Sequence, residues 1–155
     1  MYRTVQDFLN DWSHSVQGTL RVLQSLTDEK LDQAIVEGHN TLGWLGWHLA
    51  TTPAFFMKMV GLTVVPAGDA IPKKASDIVN AYSKMAEDVK REVEQNLTDE
   101  KMAEKVETFA GHSPRGALLR MLIDHQTHHR GQMTVLLRQA GLPVPGVLGP
   151  TKEGN

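Results

Sequence analysis

A chain of 155 residues is long enough to bury a core in one domain without a disulfide or a structural zinc cluster, and it contains no cysteine. The missing cysteine excludes disulfides, thiolate metal ligands and a protein-borne catalytic thiol. The formal net charge of −2, with lysines and arginines scattered along the chain, leaves no basic face for nucleic acid.

The N-terminal stretch Met1-Tyr2-Arg3-Thr4-Val5-Gln6-Asp7 lacks the apolar core of a signal peptide, and no apolar run is long enough to cross a bilayer. A soluble, cytoplasmic protein without a membrane partner is the expectation. Hydrophobic periodicity then predicts four helices. The first carries Val5, Phe8, Leu9, Trp12, Val16, Leu20 and Leu23 at spacings of three and four, and breaks near Thr27-Asp28. The second starts after Asn40-Thr41, either of which can cap it, and presents Leu45, His48, Leu49, Thr52, Phe55, Phe56 and Met59 up to Gly61, with Pro53 expected to bend it. Ser76 is the expected cap of a third helix, with Ile78 or Val79, Tyr82, Met85, Val89 and Val93 facing inward. The fourth takes Ser113 as cap and Pro114 as its first residue, and runs to Ala140 before Gly141 and Pro143 stop it. At 1.5 Å per residue it would be roughly 40 Å long.

Little else reads as regular structure, and strand in particular is not expected. Residues 62–75, with Pro66, Gly68 and Pro72, are too many for a tight helical hairpin. An all-α four-helix bundle with one long crossover between helices two and three follows, a single domain over residues 1–155. Its last part, about 143–155, is an extended tail rich in proline and glycine.

The chemistry lies in Asp124-His125-Gln126-Thr127-His128-His129-Arg130-Gly131-Gln132. Four-residue spacing puts His125 and His129 one turn apart on one face, where two imidazoles can converge on one cation. Both stand where the apolar ladder of the fourth helix calls for core residues, and His48 takes the same kind of place on the second. Three neutral imidazoles suit zinc, nickel, copper or iron and leave coordination positions open. A hydrogen-bonded buried network is the competing reading of the same three residues. His128 follows a flank of the helix, with Asp124 as its expected contact. His14, His39 and His112 fall to solvent or capping. Gln132, three residues beyond His129, is a candidate to orient an imidazole. Arg130, about 100° around the helix, is a candidate for a substrate carboxylate, against a default of a solvated or inter-helix ion pair. Gly43 and Gly46 imply close helix contact or room above the metal, and Trp44 and Trp47 line a pocket or a dimer face.

Thr41-Leu42-Gly43-Trp44-Leu45-Gly46-Trp47-His48-Leu49-Ala50, the His125 to Gln132 motif, Leu142-Pro143-Val144-Pro145 and Gly149-Pro150 together resemble the DinB-like (DinB/YfiT) family. The resemblance covers nearly the whole chain. It implies a bundle in up-down-down-up order, a divalent metal on three histidines that map onto His48, His125 and His129, and a homodimer. It also implies chemistry of two kinds: transfer or isomerisation with a low-molecular-weight thiol, or hydrolysis. Leu148 departs from the family pattern, which often has an aromatic residue there.

A metal with neutral ligands activates water or a thiol and polarises a carbonyl. The glutamate of a zinc-peptidase helix is replaced by Gln126, which excludes the peptidase reading. Without cysteine, thiol transfer would need a small-molecule thiol. The expected function is therefore a metal-dependent enzyme acting on a small molecule, a thiol-dependent S-transferase first and a hydrolase second. The metal would be nickel or zinc, with iron next. A non-catalytic metal-binding or stress-response bundle is the alternative.

Overall fold

The computed structural model describes residues 1–153, among which five α-helices, a single 3-10 turn (Asp28–Lys30) and one two-stranded hairpin form the regular structure: α1 (Val5–Gln24), α2 (Leu42–Met59), α3 (Ala75–Asn96), α4 (Asp99–Ala103), β1 (Lys105–Thr108), β2 (Gly111–Pro114) and α5 (Arg115–Gln139). The four long helices are the expected bundle. Each of α1 and α2 packs against both α3 and α5, so α1 faces α2 across one diagonal and α3 faces α5 across the other. Tyr2 N–H donates to the Gly116 carbonyl, which brings the starts of α1 and α5 together. Arg115 Nε donates to the carbonyl of Val60 at 2.9 Å, joining the start of α5 to the end of α2. Gly46 of α2 lies against Ile78 of α3, start against start. These contacts give the up-down-down-up order.

Helix ends follow local chemistry, with two differences from expectation. Thr4 and Thr41 cap α1 and α2, their hydroxyls accepting from Asp7 N and Trp44 N at 3.1 Å each. At α3 the capping group comes from far away: Asp28 Oδ1 accepts from Ala75 N at 2.7 Å, so the helix starts at Ala75, two residues before the Asp77 start that a Ser76 cap would give. Ser113 does not cap α5 either, and Pro114 is extended, at ψ 144°, outside the helix. Ser113 pairs with Val106 in the hairpin that the sequence did not announce, and a residue before proline is biased toward just such extended backbone. At the other ends, Gly61 and Gly141 take φ of +83° and +71°. The N–H groups of Leu62 and Leu142 then reach back to the carbonyls of Met57 and Leu137, closing both helices in the Schellman manner.

The core holds Phe8, Trp12, Leu49, Met57, Ile78 and Leu122, all fully buried or nearly so. Gly43 and Gly46 are contact glycines. A Cβ on Gly46 would stand 3.1 Å from Ile78 and 3.2 Å from Leu23, and one on Gly43 3.2 Å from the Leu31 carbonyl. Between α2 and α3 the crossover runs back along α2, from Leu62 behind its last turn to Ile71 beside Gly43. Trp47 Nε1 pins it by donating to the Gly68 carbonyl at 3.2 Å. The tail after α5 covers the opposite side, where Val147 rests on Gly18 and Arg21 donates to the Gly146 carbonyl. Leu148 is 87% exposed.

Candidate metal centre

Pro53 sits inside α2 without ending it. A proline has no N–H, so the carbonyl four residues before it, that of Leu49, loses its helical partner. Gln126 of α5 supplies the replacement, its Nε2 donating to the Leu49 carbonyl at 3.2 Å while Tyr82 of α3 donates to its Oε1 at 2.9 Å. Burial raises the Tyr82 pKa, which keeps that hydroxyl protonated as a donor. Gln126 is itself fully buried, so one amide fixes the register of α5 against α2 and α3 at the residue next to His125.

At that register His125 and His129 meet His48, and the three half-buried imidazoles offer ligand atoms within 4.8 Å of one another. The Nε2 atoms of His48 and His125 are 3.0 Å apart. Two nitrogens that share a tetrahedral zinc stand about 3.3–3.4 Å apart, a few tenths of an ångström wider than this pair. His129 Nδ1 lies 2.8 Å from Gln132 Oε1; an amide oxygen only accepts, so the proton is on Nδ1 and the Nε2 lone pair is free. Thr52 Oγ1 is 3.1 Å from His48 Nδ1 and fixes the orientation of that ring, a hydroxyl being able to donate or accept there. His125 Nδ1 is buried with no hydrogen-bond partner. The facing Nε2 atoms of His48 and His125, and the Nε2 of His129 left free by Gln132, are turned as a ligand set requires. The residues fit a divalent cation of the zinc, nickel or iron type.

Electrostatics agree with that fit. Burial, then the neighbouring His129, His48 and His128, push the His125 pKa down to about 4. Burial and His129 lower that of His48 as well. At neutral pH both rings are uncharged and keep a lone pair to give. Trp44 stacks on His48 at 4.6 Å between centroids and meets His129 edge-on at 6.4 Å, while Phe56 lies 5.5 Å from His125. These rings form an apolar collar around the nitrogens. Beyond Trp44 and His48 opens a cavity of about 720 Å³, whose far wall is the crossover.

Several sequence expectations change. The histidines do not occupy the middle of the α5 core stripe. The buried residues of α5 are Gly116, Leu118, Leu119, Leu122, Gln126, Arg130, Met133, Leu136 and Leu137, so Leu118 and Leu136 of the expected ladder are inside while the half-buried histidines flank Gln126 and Arg130 on the α2 side. Arg130 is not a solvated or carboxylate-paired group and does not line the cavity. It is 4% exposed, and its Nη1 donates to the Ser15 carbonyl, Ser15 Oγ and Thr19 Oγ1 at 3.1–3.2 Å. The inner face of α1 correspondingly includes Ser15, Gly18 and Thr19, which an apolar period overlooks. Asp124 pairs with Arg120 at 2.9 Å instead of His128, which is exposed beside His129. His14, His39 and His112 are exposed. The sequence reading missed Gln126 as the register-setting residue, although Pro53 was the available signal: a proline inside a helix leaves a carbonyl that some side chain must serve.

A bundle with three histidines gathered between antiparallel α2 and α5, and able to hold a metal ion, defines the class of protein. The chain belongs to the DinB family, whose family model matches residues 1–154. It is 39% identical over 155 residues to the uncharacterized protein YrdA of Bacillus subtilis (strain 168), covering 99% of this chain and 93% of that one. A crystal structure of a DinB-like protein from Bacillus cereus ATCC 10987 superposes with a TM-score of 0.91 at 38% identity, covering 95% of this chain and 99% of that one. The DinB-like protein YjoA of Bacillus subtilis shares the fold at a TM-score of 0.71 and 14% identity, over 91% and 97% of the two chains. No helix among the described residues is long and apolar enough to cross a membrane.

Proposed function

We propose that the chain holds one divalent cation, nickel or zinc before iron, on His48, His125 and His129, and that it is a metal-dependent, thiol-dependent S-transferase. The observation that carries this is the turning of the imidazoles: Gln132 and Thr52 occupy the δ nitrogens of His129 and His48, and the ε nitrogens of His48 and His125 face each other, with His48 lining an open cavity. When bound, a cation on three neutral imidazoles supplies Lewis acidity that lowers the pKa of a thiol or water and polarises a carbonyl. The chain's own residues do the rest. Trp44 and Phe56 exclude water from the nitrogens, and the cavity walls hold the electrophile. With no cysteine in the chain, the sulfur comes from a small-molecule thiol. Its sulfur forms the new bond to the electrophilic carbon, its proton passes to solvent, and the leaving group departs with its electron pair.

Hydrolysis is the second reading, favoured by Asp69, a carboxylate in the wall of the same cavity that His48 lines. Gln126 cannot fill that role, because both ends of its amide are committed in the core. A cytoplasmic homodimer is the setting that the resemblance and composition suggest, and sedimentation of the purified protein tests the dimer.

Metal analysis of untagged protein after incubation with zinc and nickel tests the centre, with about one ion per chain expected and His48→Ala reduced severalfold. Uptake below about a tenth of an ion per chain, with His48→Ala the same as the parent, would overturn it. Conjugation of electrophiles with a panel of small thiols, compared with His129→Ala, tests the activity; no signal above the variant removes the transferase reading.

A further inference from the structure

The cavity beside the histidines is polarised along its length. One wall is a single face of α2, where His48, Thr51, Phe55 and Lys58 follow one another at spacings of three and four. Ten residues separate His48 from Lys58, about 15 Å along the helix axis. The opposite wall is the crossover, with Leu62, Val64, Pro66 and Ile71. Since the crossover runs antiparallel to α2, Leu62 lies at the Lys58 end, whereas Asp69, next to the Gly68 that Trp47 holds, lies toward the His48 end.

Among the lining residues Lys58 is the single lysine or arginine, and no carboxylate among the described residues forms an ion pair with it. The Thr51 hydroxyl spends its proton on the Trp47 carbonyl, so it offers no donor to a ligand. Between the two charged ends the walls are indole, phenyl and aliphatic. A positive group at one end, a negative one near the other and an aromatic slot between them constitute a directional site.

We infer that this cavity binds elongated organic acids with an apolar or aromatic body, the carboxylate on Lys58 and the opposite, reactive end against His48. The inference names a substrate class for the proposed centre, and it rests on that reading for which end reacts. Asp69 reinforces the direction by repelling a carboxylate from the histidine end. The body lies against Trp44, Trp47 and Phe55, where each aromatic face removes apolar surface from water. Acids long enough to span from Lys58 toward His48 fill the slot, and short ones such as acetate leave its apolar walls uncovered.

Binding to metal-free protein tests this separately from the metal, because a free cation site would itself attract carboxylates. The probes are phenylbutyrate, phenylbutanol and phenylbutylamine, titrated by calorimetry and by the fluorescence of the tryptophans. The acid is expected to bind about fivefold more tightly than the alcohol, the scale of one exposed charge pair, with the amine weakest. Lys58→Met should level acid with alcohol, and added salt should do the same for the parent. Filling the slot with Ala54→Trp should remove all three probes. An acid preference that survives Lys58→Met, an amine bound best, or probes that still bind to Ala54→Trp would overturn the inference. Acid preference in a protein that takes up no metal would leave this site standing and remove the metal centre; metal uptake without acid preference would do the reverse.

Discussion

Replacing Gln126 by leucine exposes how much of the site depends on the gap left by Pro53. The leucine keeps the volume of a fully buried residue but abandons two polar groups in the core, the Leu49 carbonyl and the Tyr82 hydroxyl. A buried group left without its partner costs about 1–3 kcal/mol. Against this stands the gain from burying an apolar side chain, so a net loss of about 2 kcal/mol is expected for Gln126→Leu. Pro53→Ala restores an N–H four residues after Leu49, the ordinary helical donor to that carbonyl. In the Gln126→Leu background this donor relieves one orphan, whereas in the parent it only adds a second donor to an acceptor already served. A double-mutant cycle therefore yields a favourable coupling of about 1 kcal/mol, with the helix-propensity gain of alanine over proline cancelling between backgrounds. Urea unfolding followed by circular dichroism measures it as a midpoint difference of about 0.5 M at an m of about 2 kcal/mol/M. A coupling below about 0.3 kcal/mol, the ordinary limit of additivity, would refute the argument that Gln126 serves the proline gap.

Removing the orienting group by Gln132→Leu should weaken zinc or nickel binding about 10- to 100-fold in a chelator competition with little change in the urea midpoint, since Gln132 is exposed and its role is to turn His129. Gly116→Ala should destabilise by about 2 kcal/mol despite alanine's better helix propensity, because its Cβ would overlap the Tyr2 carbonyl, and a lowered thermal midpoint checks it. Asp88 has its pKa lowered by the hydrogen bond from Lys84 and by that from Arg91, at 2.6 Å each. A lowered carboxylate pKa stabilises the fold above the unfolded value and loses that contribution as pH falls through the folded one. Asp88→Asn should therefore cost less than about 1 kcal/mol near neutrality and nothing in strong acid, seen as a flatter acid limb in urea midpoints against pH.

The legible parts were those in which one residue type has one physical consequence. Leu and Val at spacings of three and four marked α1, α2, α3 and α5, and glycines just past a helix end marked the stops at Gly61 and Gly141. The histidine spacing marked two members of the cluster, and the ladder of α2 added His48. Polar residues that turn inward were not legible by periodicity. Ser15, Thr19, Gln126 and Arg130 count as surface in an apolar pattern, yet they join α1, α2, α3 and α5 through the core. The hairpin was also hidden, because Ser113-Pro114 before an apolar run is a helix start by every local rule. Pairing with β1, a partner seven residues before Ser113, decided otherwise.

By itself the sequence determined that the chain is a helical bundle with three histidines poised to meet, because helical period and side-chain chemistry are local properties. Which stripe of α5 enters the core was a tertiary decision. The histidine pair and the Gln126 and Arg130 pair have the same four-residue spacing, one position apart, and periodicity cannot choose between them. The Leu49 carbonyl and the hydroxyls of Ser15 and Thr19 chose, since buried polar groups must be satisfied and Gln126 and Arg130 reach them. That choice left the histidines half-buried at the edge of the core, with His48 lining an open cavity.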